Sequence, residues 1–379
     1  LEMDSMRSER LRWLVGAEGP FASVYFDDSH DTADAAEELV VRWRDIQKYL
    51  ETRGASAELV GTLEEAVLNH RTSVGRRGRA VIVTSDQVLV NEHLISPPPA
   101  TVVRLSDYPY IVPLIEFEMR RPTYVFAVVD HAGADVTLYE QNTRSSTSII
   151  GAGYPVHKPV TAGWNGYGDF QPRTEEAVRR NWRAIADQLT RLVDEADPEV
   201  VFMCGEVRSR SGVISELPER VAKRVSPLHA EVPKSGINEE EIRRLTAAEF
   251  ARRHSIEMTD IADRFEAEIG RASGLAAEGF TAVCAALRDG DVDTLVVGEL
   301  GDATVVTGQA LTTIAPDADR LSELGEPVER VARADEALPF TAIAVGASLV
   351  RADHRIAPVD GVGALLRYVA TDRLAGQRI

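Results

Sequence analysis

Cysteine is scarce in this 379-residue chain, with only Cys204 and Cys284 present. Two thiols cannot build the multi-bridge framework of a small secreted domain or a four-cysteine zinc site. Cys204 ends an apolar, strand-like run and Cys284 lies on a helix, so both read as small core residues, and the expected compartment is the reducing cytoplasm. Long hydrophobic runs are missing too. None approaches the ~20 residues a membrane-spanning helix needs, so no membrane partner is expected. No charged-then-apolar signal segment opens the chain, and Leu1-Glu2 ahead of Met3 reads as a cloning remnant. Positive charge is also short: 42 Lys and Arg stand against 60 Asp and Glu, a formal net charge of −18. That balance argues against a protein that coats DNA, or any nucleic acid, by charge alone.

Several catalytic signatures are absent as well. No Gly-Lys pair follows a glycine-rich loop, no His-Glu-x-x-His occurs, the eight histidines are scattered singly, and no Gly-x-Ser-x-Gly elbow appears. Neither a metal nor a cofactor is expected. Asp130, Asp135 and Glu140 cluster around a predicted hairpin. A metal-dependent nuclease would converge such carboxylates on Mg²⁺, whereas turns and strand edges carry them routinely.

What is present fits a globular α/β protein of two or three domains: 44% hydrophobic residues and a length above the single-domain range. The first segment, 1–121, predicts a strand at Phe21–Phe26, then amphipathic helices with Trp43, Ile46 and Leu50 and with Leu59, Leu63 and Val67 on one face. Strands follow at Ala80–Val83, Val88–Val90 and Thr101–Leu105. The second, 122–235, opens with a hairpin, Tyr124–Asp130 turning into Val136–Tyr139, and continues with a helix N-capped at Thr174 and a buried strand at Glu199–Cys204. The third, 236–379, predicts a long charged helix from Asn238 to about Ser273, a helix at Ala276–Leu287, and strands at Asp293–Val297, Ala303–Thr307 and Ala342–Val345. Lys and Arg number 13, 14 and 15 in 1–120, 121–236 and 237–379, against 20, 15 and 25 carboxylates. RNA, if touched, meets the near-neutral middle, and the acidic ends face solvent or protein.

Between the hairpin and the Thr174 helix, residues 151–173 lose all periodicity. A structureless stretch of this length is uncommon inside a compact domain and is usually functional or disordered. Gly151, Gly153, Gly163, Gly166 and Gly168 let a backbone come close to a partner. Tyr154, Trp164, Tyr167 and Phe170 are rings that either stack on splayed bases or fold back as a satellite core. Lys158, Arg173, Arg179, Arg180 and Arg183 flank them with charge. Arg71, Arg76, Arg77 and Arg79, four arginines within nine residues, form a second basic stretch beside Gly75 and Gly78. It reads either as a phosphate-contacting loop or as a solvated connector.

The order of these parts resembles the Pelota and archaeal–eukaryotic class I release factor family. The strand ending in Asp130 with its hairpin partner, the 151–173 segment, the basic helix after it and the strand Val200–Cys204 are similar to that family's RNase H-like middle domain. Gly279–Leu287, Leu295-Val296-Val297 and the closing Gly361–Tyr368 are similar to its L7Ae-like domain. The whole chain is most similar to the bacterial branch of Balon-type hibernation factors, mycobacterial members in particular. The resemblance implies a three-domain α/β protein that occupies the vacant A site of a 70S ribosome. Arg71, Arg76, Arg77 and Arg79 would then lie toward the rRNA of the decoding centre. Lys158, Gly163, Trp164, Asn165, Gly166, Tyr167, Gly168, Phe170, Gln171, Arg173, Arg179 and Arg180 would lie toward the peptidyl-transferase centre. The acidic last domain would face a translational GTPase such as elongation factor Tu. The family's hydrolytic Gly-Gly-Gln is replaced here by Gly163-Trp164-Asn165-Gly166-Tyr167-Gly168-Asp169-Phe170-Gln171, and its Asn-Ile-Lys-Ser stop-codon motif is absent. Binding without catalysis is therefore implied. A rescue hydrolase using Gln171 and a ribonuclease using Asp130 are the alternatives.

Overall fold

The computed structural model describes residues 11–30, 34–69, 76–116, 123–140, 143–150, 167–229 and 237–368. Strand β1 (Phe21–Asp27) is buried along all but its last residue, because both faces of its sheet are covered. It pairs antiparallel with β2 (Gly78–Val83) and β4 (Val102–Ser106), and β3 (Val88–Leu94) lies beyond β2. On one face Ala22, Val24 and Phe26 pack against Trp43, Ile46 and Leu50 of α1 (Ala35–Thr52) and Leu59, Leu63 and Val67 of α2 (Ala57–Leu68). Ser56 caps α2 by accepting the Leu59 N–H at 3.2 Å. On the other face Phe21 and Tyr25 join a cluster with Tyr108, Ile111 and Leu114, the last of these in α3 (Val112–Glu116).

That second cluster does not stop at residue 121. It also takes in Val283, Leu287, Leu295, Leu338 and Phe340. Tyr108 donates to the carbonyl of Leu311 at 2.8 Å, and Arg330 pairs with Asp107 at 3.3 Å. Residues 1–120 and 255–379 accordingly make one compact unit, and residues 121–254 make another. No local signal announces a core shared across such a separation.

The 121–254 unit is a mixed five-stranded sheet in the order β7-β6-β5-β8-β9. Its strands are β5 (Tyr124–Val129), β6 (Gly133–Glu140), β7 (Thr143–Ile150), β8 (Val200–Gly205) and β9 (Val225–Pro227). β5 runs antiparallel to β6 and parallel to β8. Its side chains alternate between two clusters, as pleating requires. Val125, Ala127 and Val129 meet Ile185, Leu189 and Val193 of α4 (Tyr167–Ala196) and Val213 of α5 (Val207–Glu216), near α6 (Glu219–Ala222). Tyr124 and Phe126 meet Phe202, Leu228 and Ile242, the last in α7 (Glu239–Arg271).

Glu249 of α7, only 9% exposed, ties that helix to β9. It accepts from Arg252 Nε at 2.7 Å, Ser226 Oγ at 3.0 Å and Arg253 Nε at 3.2 Å. These bonds, Arg252's above all, hold its pKa down at about 2, against an ordinary 4.5. A carboxyl depressed by folding stabilises the fold above the unfolded value and loses that contribution as pH falls through the folded one. The stability of this unit is therefore expected to drop between pH 4.5 and about 2. Glu249→Gln is expected to flatten that drop, measured as urea midpoints across the range.

The last third adds a sheet in the order β10-β16-β11-β15, from β10 (Ala276–Glu278), β11 (Val292–Val297), β15 (Ser348–Arg351) and β16 (Val362–Leu366). A smaller sheet, β13-β12-β14, comes from β12 (Thr304–Thr307), β13 (Ile314–Ala315) and β14 (Arg330–Arg333). Helices α8 (Gly279–Asp289), α9 (Ala318–Glu323) and α10 (Ala334–Ala344) complete it. Two expectations are corrected here. Ala276–Glu278 is strand rather than helix, because Gly279 at φ +78° turns the chain before α8 begins. Ala342–Ala344 belongs to α10 rather than to a strand. That helix is apolar nearly all round and buried, so it shows no helical stripe to read.

Candidate functional site

Helix α4 is where the residues singled out by sequence gather. It starts at Tyr167, seven residues before the expected cap at Thr174. Tyr167, Gly168, Phe170, Gln171 and Arg173 therefore have helical backbone rather than lying in a loop. Pro172 falls in the second turn, where its missing N–H forfeits one bond and only one turn lies upstream to be disturbed. Lys158, Gly163, Trp164, Asn165 and Gly166 lie outside the described residues.

Further along α4 a cationic face is open to solvent. Arg179 and Arg183 each donate through Nε to the carboxylate of Glu216, both at 2.9 Å. Those two bonds, Arg179's first, hold Glu216 below the usual carboxylate range, so it stays charged between them. Arg180 pairs with Glu176 at 2.7 Å, and Arg208 of α5 approaches Glu175 at 3.9 Å. Exposed pairs of this kind contribute only about 0–1 kcal/mol each. An incoming phosphate can displace the carboxylates at little cost, and the guanidinium fork suits it. Arg208 went unnoticed in sequence because only the packing of α5 on α4 brings it near Glu175 of that helix.

The arginine run before β2 divides sharply. Arg76 is exposed and Arg77 half-buried, while Arg71 lies outside the described residues. Arg79 is fully buried. Its guanidinium donates to the carbonyls of Ala66 at 2.5 Å and Val67 at 3.2 Å and to Asn91 Oδ1 at 2.9 Å. The first two are carbonyls of the last turn of α2, which a cation there satisfies. Asp28 stands 3.7 Å away, with His30 and His93 beside it at 3.5 and 3.9 Å. Burial lowers the Arg79 pKa, against the pull of Asp28. Arg79 is thus a core cation, and its expected contact with rRNA is withdrawn.

Asp130 is committed to its turn. Its Oδ1 accepts the N–H groups of Ala132 and Gly133, both at 2.7 Å, and Asp135 accepts from Ser148 Oγ at 2.6 Å. Among the described residues no three His, Cys, Asp or Glu side chains are grouped to hold a metal ion. Cys204 and Cys284 are buried, and burial pushes both thiols up to about 12, far from a reactive thiolate.

Residues 123–271 fit the bacterial archaeo-eukaryotic release factor family 2. Over those residues the chain belongs to this bacterial branch of the archaeo-eukaryotic release factors. It is 73% identical over 373 residues to "Uncharacterized protein Rv2629" of Mycobacterium tuberculosis H37Rv, covering 98% of this chain and 100% of that one. The same figures hold for "Uncharacterized protein MT2704" of M. tuberculosis CDC 1551. Among solved structures it is similar to the Pelota protein of Archaeoglobus fulgidus, at 13% identity and TM-score 0.34, over 95% of this chain and 92% of that one. It is also similar to an archaeal translation termination factor, aRF1, at 14% identity and TM-score 0.25, over 96% and 98%.

Proposed function

We propose that this chain is a non-catalytic ribosome-binding factor that enters the vacant A site of an idle 70S ribosome and holds it inactive. On this reading segment 122–235 acts on the peptidyl-transferase side, and segments 1–121 and 236–379, which share a core, supply the decoding-side and protein-facing surfaces. The α4 face of Arg179, Arg180 and Arg183, with Arg208 of α5, contacts rRNA phosphates, together with the preceding segment that carries Lys158 and Trp164. Arg71, Arg76 and Arg77 serve the decoding side, and the acidic last third faces a translational GTPase such as elongation factor Tu.

The observation that carries the reading is Gln171. In a family whose release factors present a glutamine after two glycines, this glutamine has no such pair before it and its backbone lies inside α4. Without the glycine pair, the backbone ahead of the glutamine lacks the flexible approach a hydrolytic tip uses at a peptidyl-tRNA ester. Cosedimentation with 70S ribosomes tests the proposal. The chain is expected to pellet with ribosomes at moderate salt, and Arg179→Gln, Arg180→Gln and Arg183→Gln together are expected to weaken pelleting by roughly tenfold or more, since each lost phosphate contact also releases fewer counterions. Gln171→Ala is expected to bind unchanged. No pelleting by the parent chain, or peptidyl-tRNA hydrolysis that Gln171→Ala abolishes, would overturn it.

A further inference from the structure

Away from α4, in the unit made of residues 1–120 and 255–379, a groove of about 780 Å³ runs between one flank of α1 and strand β4. Asp34, Glu37, Glu38 and Asp45 line it along the helix, with Val41 and Val103 between helix and strand. The helical residues recur at spacings of three and four, so they form one continuous flank beside the buried face of Trp43, Ile46 and Leu50. All four carboxylates are exposed, and none forms an ion pair among the described residues. Among the described lining residues the one cation, Arg42, donates to the carbonyl of Asp27. Val41 is 57% exposed and Val40 beside it 39%.

The other wall of the groove is a sheet edge. β4 pairs with β1 on one side only, and among the described residues no other backbone–backbone bond reaches 101–106. An edge strand with free N–H and C=O groups beside a groove is the arrangement that takes an added strand. The charge of the lining selects what can be added. Phosphates would meet four carboxylates that form no ion pair among the described residues, whereas Lys or Arg side chains would be paired by them.

We propose that this groove seats an extended, basic segment of a partner protein, added along the β4 edge with cationic side chains over Asp34, Glu37, Glu38 and Asp45 and an apolar side chain against Val41 and Val103. The proposal does not depend on ribosome binding. A chain that fails to pellet with ribosomes yet takes such a peptide in the groove refutes only the function proposed above.

The test uses the full chain and fluorescence anisotropy with three labelled probes: a short peptide of alternating lysine and valine, its glutamate–valine counterpart, and a single-stranded oligouridylate. Saturable binding of the lysine–valine peptide alone is expected. Asp34→Asn, Glu38→Gln and Asp45→Asn combined are expected to weaken it by about tenfold, summing three exposed pairs. Because these positions are exposed, the melting temperature is expected to stay unchanged. Val41→Lys is a second variant, expected to repel the same peptide. Absence of saturable peptide binding, equal binding by the charge-neutralised variant, or oligouridylate competing the peptide out of the groove would each overturn the proposal.

Discussion

Arg79→Met is expected to destabilise the 1–120 and 255–379 unit by about 3–5 kcal/mol, the cost of removing one member of a buried charged pair. Methionine fills much of the same space but donates nothing. The carbonyls of Ala66 and Val67 and the amide oxygen of Asn91 each lose a donor, and the Asp28 carboxylate loses its nearest guanidinium. Asp28→Asn in the same chain is expected to recover part of the loss, because a neutral amide costs far less to bury than a carboxylate without its cation. Urea denaturation of the parent, the two single variants and the double variant measures both the cost and the coupling. If Arg79→Met instead keeps the parent's stability and loses ribosome pelleting, the buried placement is wrong and the arginine belongs to the RNA surface after all.

Gly205→Ala should cost at least about 3 kcal/mol, combining backbone strain with overpacking. Gly205 ends β8 at φ +123°, a region L side chains rarely adopt, and a Cβ there would lie 1.9 Å from the carbonyl oxygen of Val129. The clash is with backbone, so no rotamer relieves it; either β5 or β8 must move. The parallel pairing of Val129 with Gly205 closes the seam between the two central strands. Asp130 and its turn follow one strand, and Arg208 lies just beyond the other. The substitution is therefore expected to shift the Arg179, Arg183 and Arg208 face as well as to lower the urea midpoint. An unfolding free energy within about 0.5 kcal/mol of the parent, the range of an ordinary surface change, would refute the assigned geometry.

Much of the architecture is legible wherever burial has one side. Trp43, Ile46 and Leu50 mark α1 because only one helix face is covered, and β5 with β6 is marked by two apolar runs around a glycine turn. β7 escapes notice because Thr143–Ile150 is largely polar and its described side chains are mostly exposed. α10 fails for the opposite reason, since burial on every side erases the periodicity. The candidate site is legible in composition and not in placement. Charge counting put Arg79 with Arg76 and Arg77, whereas period two places it on the same face as Val81 and Val83, both in the core against α2. Recognising that β2 begins at Gly78 rather than Ala80 would have turned that arginine inward. The pairing of Arg179 and Arg183 with Glu216 depends on α5 folding against α4, which no local pattern reveals.

The apolar cluster that joins Phe21 and Tyr25 to Leu287, Leu295 and Phe340 has a consequence for synthesis. As the chain leaves the exit tunnel N-terminus first, those early rings have no permanent cover until residues beyond 280 have emerged. The 121–254 unit completes its own two clusters well before then. A nascent chain halted after residue 254 would thus carry one finished unit beside a half-built one with its aromatic face bare, and chaperones and proteases act on such a face.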